Sequence, residues 1–336
     1  MARSIYGGLK YIRGRSGVRF LHTIPKQRKK LSGVCSSPKF LTPNPNTCQP
    51  HISHISMAGS KIVFREYTND DSFTKLTDIP KDVSEIQVAL TFARDYDGVG
   101  STQGKFIPYW DTAIVNPDVI ANFKSKYPSA KVLVSIGNNK RHFPFKIDED
   151  RVTAWINAAT ESLTRIIKEY NLDGIDVYYE DIEVSNPAIF VHCIGELIKT
   201  LKLNKVITRA SISPNIEIND NFYRSLHQNF EDHIDYVNLF LSVVENLTGN
   251  TNQEEVLEKL KPTLNQYPPI KRLLGYSSIP PPPIFFVVSK ILLSHSFING
   301  ISLKVTSFSI TYFPPQWILD LLQSPLAILG SCKCNL

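Results

Sequence analysis

The sequence predicts an α/β chain folded as a (β/α)8 barrel of the TIM type, with its closure at the C-terminal strands left open. Three observations predict it. Seven short β-rich runs recur along the middle of the chain, amphipathic helical stretches separate them, and 336 residues with 42% apolar content suffice for one barrel of ~250 residues plus extensions. The alternation of strand and helix is the mark of a parallel sheet. Strands apolar on both faces, in one right-handed series, favour closure over an open doubly wound sheet.

The elements divide the chain into three parts. Residues 1–56 form a basic leader with ten Lys or Arg before Ser60 and no acid. It has no continuous apolar stretch and so does not resemble a secretory signal. Two readings are open: an organellar presequence, or untranslated sequence upstream of a true initiator at Met57, which would make the protein cytoplasmic. The cations at Lys26–Lys30 read as solvated charge. Residues 57–279 carry the barrel pattern. With three cations and one acid after Ile279, the middle is left with 24 basic and 30 acidic residues, an ordinary balance that gives no sign of nucleic-acid binding. Residues 280–336 form an apolar tail of uncertain structure. Pro280–Pro283 is expected to stop any regular element, and Lys290, His295 and Asn299 interrupt the apolar run beyond it too often for a membrane span.

Within the middle, strands are expected at Lys61–Tyr67, Glu85–Ala93, Lys131–Gly137, Leu172–Glu180, Lys205–Ser213, Asp235–Val244 and Arg272–Ser277. The clearest helix is Val152–Tyr170, where Trp155, Ala159, Leu163, Ile166 and Ile167 recur at helical spacing before Asn171 closes it. Cys193 reads as a small apolar helix residue, and the five cysteines suggest no disulfide framework. His142, His192, His227 and His233 have no metal-ligand spacing, so no metal is expected, and no glycine-rich phosphate loop occurs. No cofactor is expected. Asn246-Leu247-Thr248 reads as an unmodified loop.

The stretch from Asp173 to Glu180, DGIDVYYE, carries the chemistry. Strand alternation turns Asp176, Tyr178 and Glu180 to one side and Ile175, Val177 and Tyr179 to the helices. Carboxylates aimed into a barrel are costly unless paired or functional. Glu180 ends its strand, where barrel active sites gather. Spacing alone leaves open whether this is a catalytic set or a hydrogen-bonded structural cluster.

These residues resemble the DGxDxDxE motif of family-18 glycoside hydrolases, the chitinase family. Ser135-Ile136-Gly137-Asn138 resembles the family's SxGG on the preceding strand. IVFREY at Ile62, VALTFARDYD at Val88 and LLGYSS at Leu273 are similar to the narbonin and Rubisco-associated protein group, non-hydrolytic legume members. The resemblance implies a catalytic set in which Glu180 is the general acid, Asp176 its supporting carboxylate and Asp173 the start of the motif. It also implies substrate contacts at Ser135, Gly137 and Asn138, and a mechanism in which the substrate's acetamido carbonyl is the nucleophile. The ligand class so implied is a chitin-type oligosaccharide, with a protein partner as the alternative and no membrane. Trp110, in a loop after the second strand, is a further candidate to stack on sugar.

The departures matter more. Tyr178 stands where the family has the Asp that balances the cationic intermediate, and a phenol with pKa near ~10 carries no charge at neutral pH. Losing such a stabiliser costs about 10²- to 10³-fold in rate. Asn138 replaces a glycine, and the sixth strand reads Tyr236-Val237-Asn238-Leu239-Phe240-Leu241-Ser242 where active members place polar and Tyr side chains. The gap from Ser278 to Ile284 leaves no room for a helix before strand eight, which puts the family's aromatic floor there in doubt. A cation or Tyr178 is expected to satisfy Glu180, and Arg209 on the fifth strand is the nearest candidate by topology. These features favour a non-catalytic homologue over an active endo-hydrolase.

Overall fold

A computed structural model describes residues 62–75, 83–138, 143–216, 218–240, 252–276 and 283–304. Eight parallel strands close on themselves: β1 (Ile62–Thr68), β2 (Val83–Arg94), β3 (Lys131–Asn138), β4 (Gly174–Tyr179), β5 (Arg209–Ile212), β6 (Tyr236–Phe240), β7 (Arg272–Tyr276) and β8 (Gly300–Lys304). Each pairs with the next, and β8 pairs back to β1 from Val63↔Gly300 to Tyr67↔Lys304, so among these strands no edge is left open. The seven runs expected from sequence are the first seven strands.

Among the described residues six helices cover the outside: α1 (Pro117–Lys126), α2 (Val152–Glu169), α3 (Pro187–Leu203), α4 (Asp220–Phe230), α5 (Gln253–Leu264) and α6 (Pro283–Ser294). Asn-Pro pairs start α1 and α3. The Asn116 and Asn186 side chains accept from the amides of Val119 and Ala188, and each proline fills a first-turn position whose N–H would have no partner. Asn171, at φ +51, takes the left-handed turn that ends α2. Trp155, Ala159, Leu163, Ile166 and Ile167 form the buried stripe of α2 against the outward faces of the strands, and Cys193 is buried in α3.

The closure overturns one expectation. A helix does fit before strand eight, because α6 starts on the last proline of the Pro280–Pro283 run. Proline breaks a helix interior but suits a helix start. The missing amphipathic period has the same origin. Ile284, Phe285, Val288, Ile291, Leu292 and Leu293 are buried, so most of the helix circumference faces protein. The barrel therefore continues to Lys304, past the boundary expected at residue 279. The leader, the sequon at Asn246 and His142 lie outside the described residues. No described helix is long and apolar enough to cross a membrane.

Candidate active site

The barrel interior is unusually polar, since such interiors are usually filled by branched apolar side chains. At its N-terminal end Arg209 donates to Glu85 from Nε at 3.2 Å and Nη2 at 2.9 Å. Gln87 Nε2 donates to Glu85 Oε1 at 2.6 Å, and the Gln87 side-chain carbonyl accepts from Arg65 Nε at 2.8 Å. Arg65 Nη1 then donates to Asp176 Oδ1 at 3.0 Å, an ion pair with no solvent exposure on either side chain.

Asp176 is saturated. Oδ1 also accepts from Ser211 and from Ser213 at 3.0 Å, and Oδ2 accepts from Ser135 at 3.0 Å and the Tyr67 hydroxyl at 3.1 Å. A buried carboxylate is tolerable only when so paired. Asn238 extends the network, donating to the Tyr67 hydroxyl at 2.9 Å and accepting from Ser302. Asp176 and Ser135 thus meet, with Ser135 fully buried as a donor to the carboxylate rather than open to a substrate. Arg65, Tyr67, Gln87, Ser211 and Ser213 lie outside that motif, and sequence reasoning misses them. The signal is present in β1, where Val63, Arg65 and Tyr67 share the inward face by period-two spacing.

Above this layer the mouth is closed by rings. Tyr178 turns inward, as alternation requires, and is 3% exposed. Its ring stacks on Phe240 of β6 with centroids 5.1 Å apart and planes 16° apart, and meets Tyr67 and Phe92 edge-on at 5.9 and 5.8 Å. Gly275 on β7 makes room for Phe240, because a Cβ there would come within 2.8 Å of the ring. Gly137, at φ +106, passes so close to the Tyr178 carbonyl that a Cβ would lie 2.6 Å from it. The last described residue of strand eight is Lys304, whose ammonium lies 4.8 Å from the Tyr178 ring centroid; the aromatic floor in question lies outside the described residues. Burial, and then the Glu180 carboxylate, push the Tyr178 phenol well above its ordinary value of 10. The ring is therefore neutral at any physiological pH.

Glu180 sits at the rim, half-buried, with Oε1 3.5 Å from the Tyr178 hydroxyl. Asn219, just before α4, donates to the carbonyls of Tyr179 and Glu180 at 2.6 and 3.0 Å and fixes this turn of chain. Burial raises the Glu180 carboxyl above its ordinary value, Lys304 opposes this, and Asp181 reinforces it.

The structure corrects three expectations. Arg209 does not reach Glu180. It pairs in register with Gly174, six residues and about 20 Å of strand below, and is held by Glu85; the cation acting on Glu180 is Lys304. Asp173 lies at the opposite end from the mouth, pairing with Lys124 at 2.9 Å and accepting from the Val132 amide at 2.8 Å, so it ties β3 to the start of β4. Trp110 is 4% exposed with its ring edge-on to Tyr170 at 5.5 Å, which places it in the core rather than on a sugar path. Asn138 pairs with Tyr179 in the backbone ladder at the mouth. Among the described residues no group of three or more His, Cys, Asp or Glu could hold a metal ion.

An eight-stranded parallel barrel with an inward Asp176 and a rim carboxylate at Glu180 has the form of a glycoside hydrolase. The chain belongs to family 18 of that class, the chitinase-like proteins. It is 47% identical over 274 residues to a RuBisCO-associated protein of Glycine max, covering 77% of this chain and 96% of the relative. It is 33% identical over 258 residues to chitinase 1 of Tulipa saxatilis subsp. bakeri, covering 72% and 80%. Among solved structures it is similar to a family-18 chitinase from Crocus vernus at a TM-score of 0.62 and 32% identity, over 72% of this chain and 91% of that one. No family model matches the sequence.

Proposed function

We propose that this family-18 homologue does not turn over chitin and acts instead as a storage or interaction protein with, at most, weak carbohydrate binding. One observation carries this reading. The Tyr178 ring is neutral and enclosed by Phe240, Phe92, Tyr67 and Lys304, and it stands at the motif position where the resemblance to the family implies the carboxylate that orients the acetamide. A cationic intermediate formed there would meet a phenol and an ammonium in place of a negative charge. The similarity to a protein named as RuBisCO-associated supports a protein partner.

The second reading is an active endo-hydrolase of N-acetylglucosamine polymers, and one observation favours it. Glu180 is kept, and its burial raises its pKa in the sense a proton donor needs. A fluorogenic chitooligosaccharide assay separates the two. The expected result is no turnover by the unmodified protein. Robust turnover that Glu180→Gln abolishes would overturn the proposal.

A further inference from the structure

The last bond that β5 gives β4 runs from the Ser213 amide to the Val177 carbonyl at 2.8 Å. One step further, a parallel ladder would bring the Tyr179 amide to the Ser213 carbonyl and the Asn215 amide to the Tyr179 carbonyl. Both amides go elsewhere. The chain beyond Ser213 leaves β4 and bridges to β6 at Asn215↔Phe240, and two side chains from the start of α4 take the places it leaves.

Asn219 is inserted into the ladder. Its side-chain carbonyl accepts from the Asn215 amide at 3.0 Å, and its side-chain amide donates to the Tyr179 and Glu180 carbonyls at 2.6 and 3.0 Å. The Tyr223 hydroxyl supplies the rest, accepting from the Tyr179 amide at 2.7 Å and donating to the Tyr179 carbonyl at 3.1 Å. Residues four apart share one helix face, and both of these side chains are buried. Burial holds the Tyr223 phenol well above its ordinary value of 10, so it keeps the proton it donates. Asp220, between them, accepts from the Tyr267 hydroxyl at 2.9 Å and from Arg224 Nη2 at 2.8 Å, which anchors this end of the helix.

Satisfying the strand end requires partners only for the Tyr179 amide and carbonyl. Asn219 reaches one residue further. It holds the carbonyl of Glu180, whose carboxyl lies 3.5 Å from the Tyr178 hydroxyl and in the field of Lys304. We propose that Asn219 and Tyr223 are positioning residues for the Glu180 carboxyl: standing in for β5 at the end of β4, they set where that carboxyl lies against Tyr178 at the rim.

The test is an NMR titration of the Glu180 carboxyl in the full chain, its resonance identified by its loss in Glu180→Gln, with hydrogen exchange at the Tyr179 amide read alongside. In the unmodified protein the midpoint is expected above 4.5. Tyr223→Phe and Asn219→Leu should each move it down towards 4.5, because a released turn lets water reach the carboxyl. Tyr223→Phe should also speed exchange of the Tyr179 amide about tenfold. Ser162→Ala removes a different buried hydroxyl, which accepts from the Phe106 amide at 3.0 Å, and should leave the midpoint where it is. Circular dichroism controls for folding, and Tyr223→Phe, which removes only the hydroxyl oxygen, decides alone if Asn219→Leu does not fold. A midpoint unchanged in Tyr223→Phe, or moved as far by Ser162→Ala, would overturn the proposal. The titration reads ionisation and not turnover, so hydrolysis of chitooligosaccharide by the unmodified protein would overturn the proposed function and leave this assignment standing.

Discussion

Tyr178 of β4 and Phe240 of β6 lie face to face across the barrel mouth, 5.1 Å between centroids and 16° between planes. Neither strand neighbours the other, since β5 lies between them. The stack therefore ties together two strands that the hydrogen-bond ladder leaves apart.

This pairing predicts that Tyr178→Asp alone does not recover hydrolysis. The new carboxylate would face Lys304 and still meet the Phe240 ring. Adding Phe240→Gln should open space and polarity together, so any gain in the chitooligosaccharide assay is expected in the double variant. As a stability readout, Tyr178→Ala should cost about 3–5 kcal/mol in urea unfolding, the range for a buried aromatic. Tyr178→Phe, which keeps the stack, should cost less than about 1.5 kcal/mol. Equal losses would mean that the hydroxyl, not the ring, carries the contact.

Arg65 and Asp176 form a fully buried ion pair at 3.0 Å, 111 residues apart in sequence. Arg65→Met should destabilise the fold by about 3–5 kcal/mol, because it leaves the Asp176 charge without its cation in the interior. Adding Asp176→Asn should recover part of that loss. A double variant no more stable than Arg65→Met in denaturant titration would show that the hydroxyl donors alone satisfy the carboxylate.

Glu66, on the outward face of β1, is buried, and that burial raises its carboxyl from 4.5 to about 7, with Asp70 adding to the rise and the Ser72 hydroxyl opposing it. The folded state thus holds this proton more tightly than the unfolded chain. The stabilisation is full below pH 4.5 and is lost as pH rises through about 7, a change on the order of 3 kcal/mol. Melting temperatures measured across this window should fall with pH in the unmodified protein and fall less in Glu66→Gln. Parallel curves for the two proteins would show that Glu66 titrates normally.

Most of the architecture is legible in the sequence because it rests on local pattern. Strand alternation places Asp176 and Tyr178 inward and Tyr179 among the helices. Asn171 marks the end of α2, and the helical spacing of Trp155 and its companions marks its buried stripe. The eighth strand is not legible. α6 is apolar around most of its circumference, which removes the period that announces a helix, and its first residue, Pro283, reads as a stop when it is a start.

The candidate site is legible by half. Asp176, Tyr178, Glu180 and Ser135 can be named from motif and alternation, but their partners cannot. Strand order assigns Arg209 to Glu180, and height along the barrel axis rules it out. Asp173 belongs to the motif by sequence and to the opposite end of the barrel by position. Trp110 reads as a loop aromatic and is core.

The sequence by itself determined which side of each strand a residue takes, because a pleated strand reverses its faces at every step. It also determined that a neutral phenol stands among the acids of the motif. Only the tertiary structure decided what meets that phenol: Phe240, Lys304 and the rings of Tyr67 and Phe92 come from β6, β8, β1 and β2. Strand register and closure bring these together across the barrel, and no local pattern records a contact between residues so far apart along the chain.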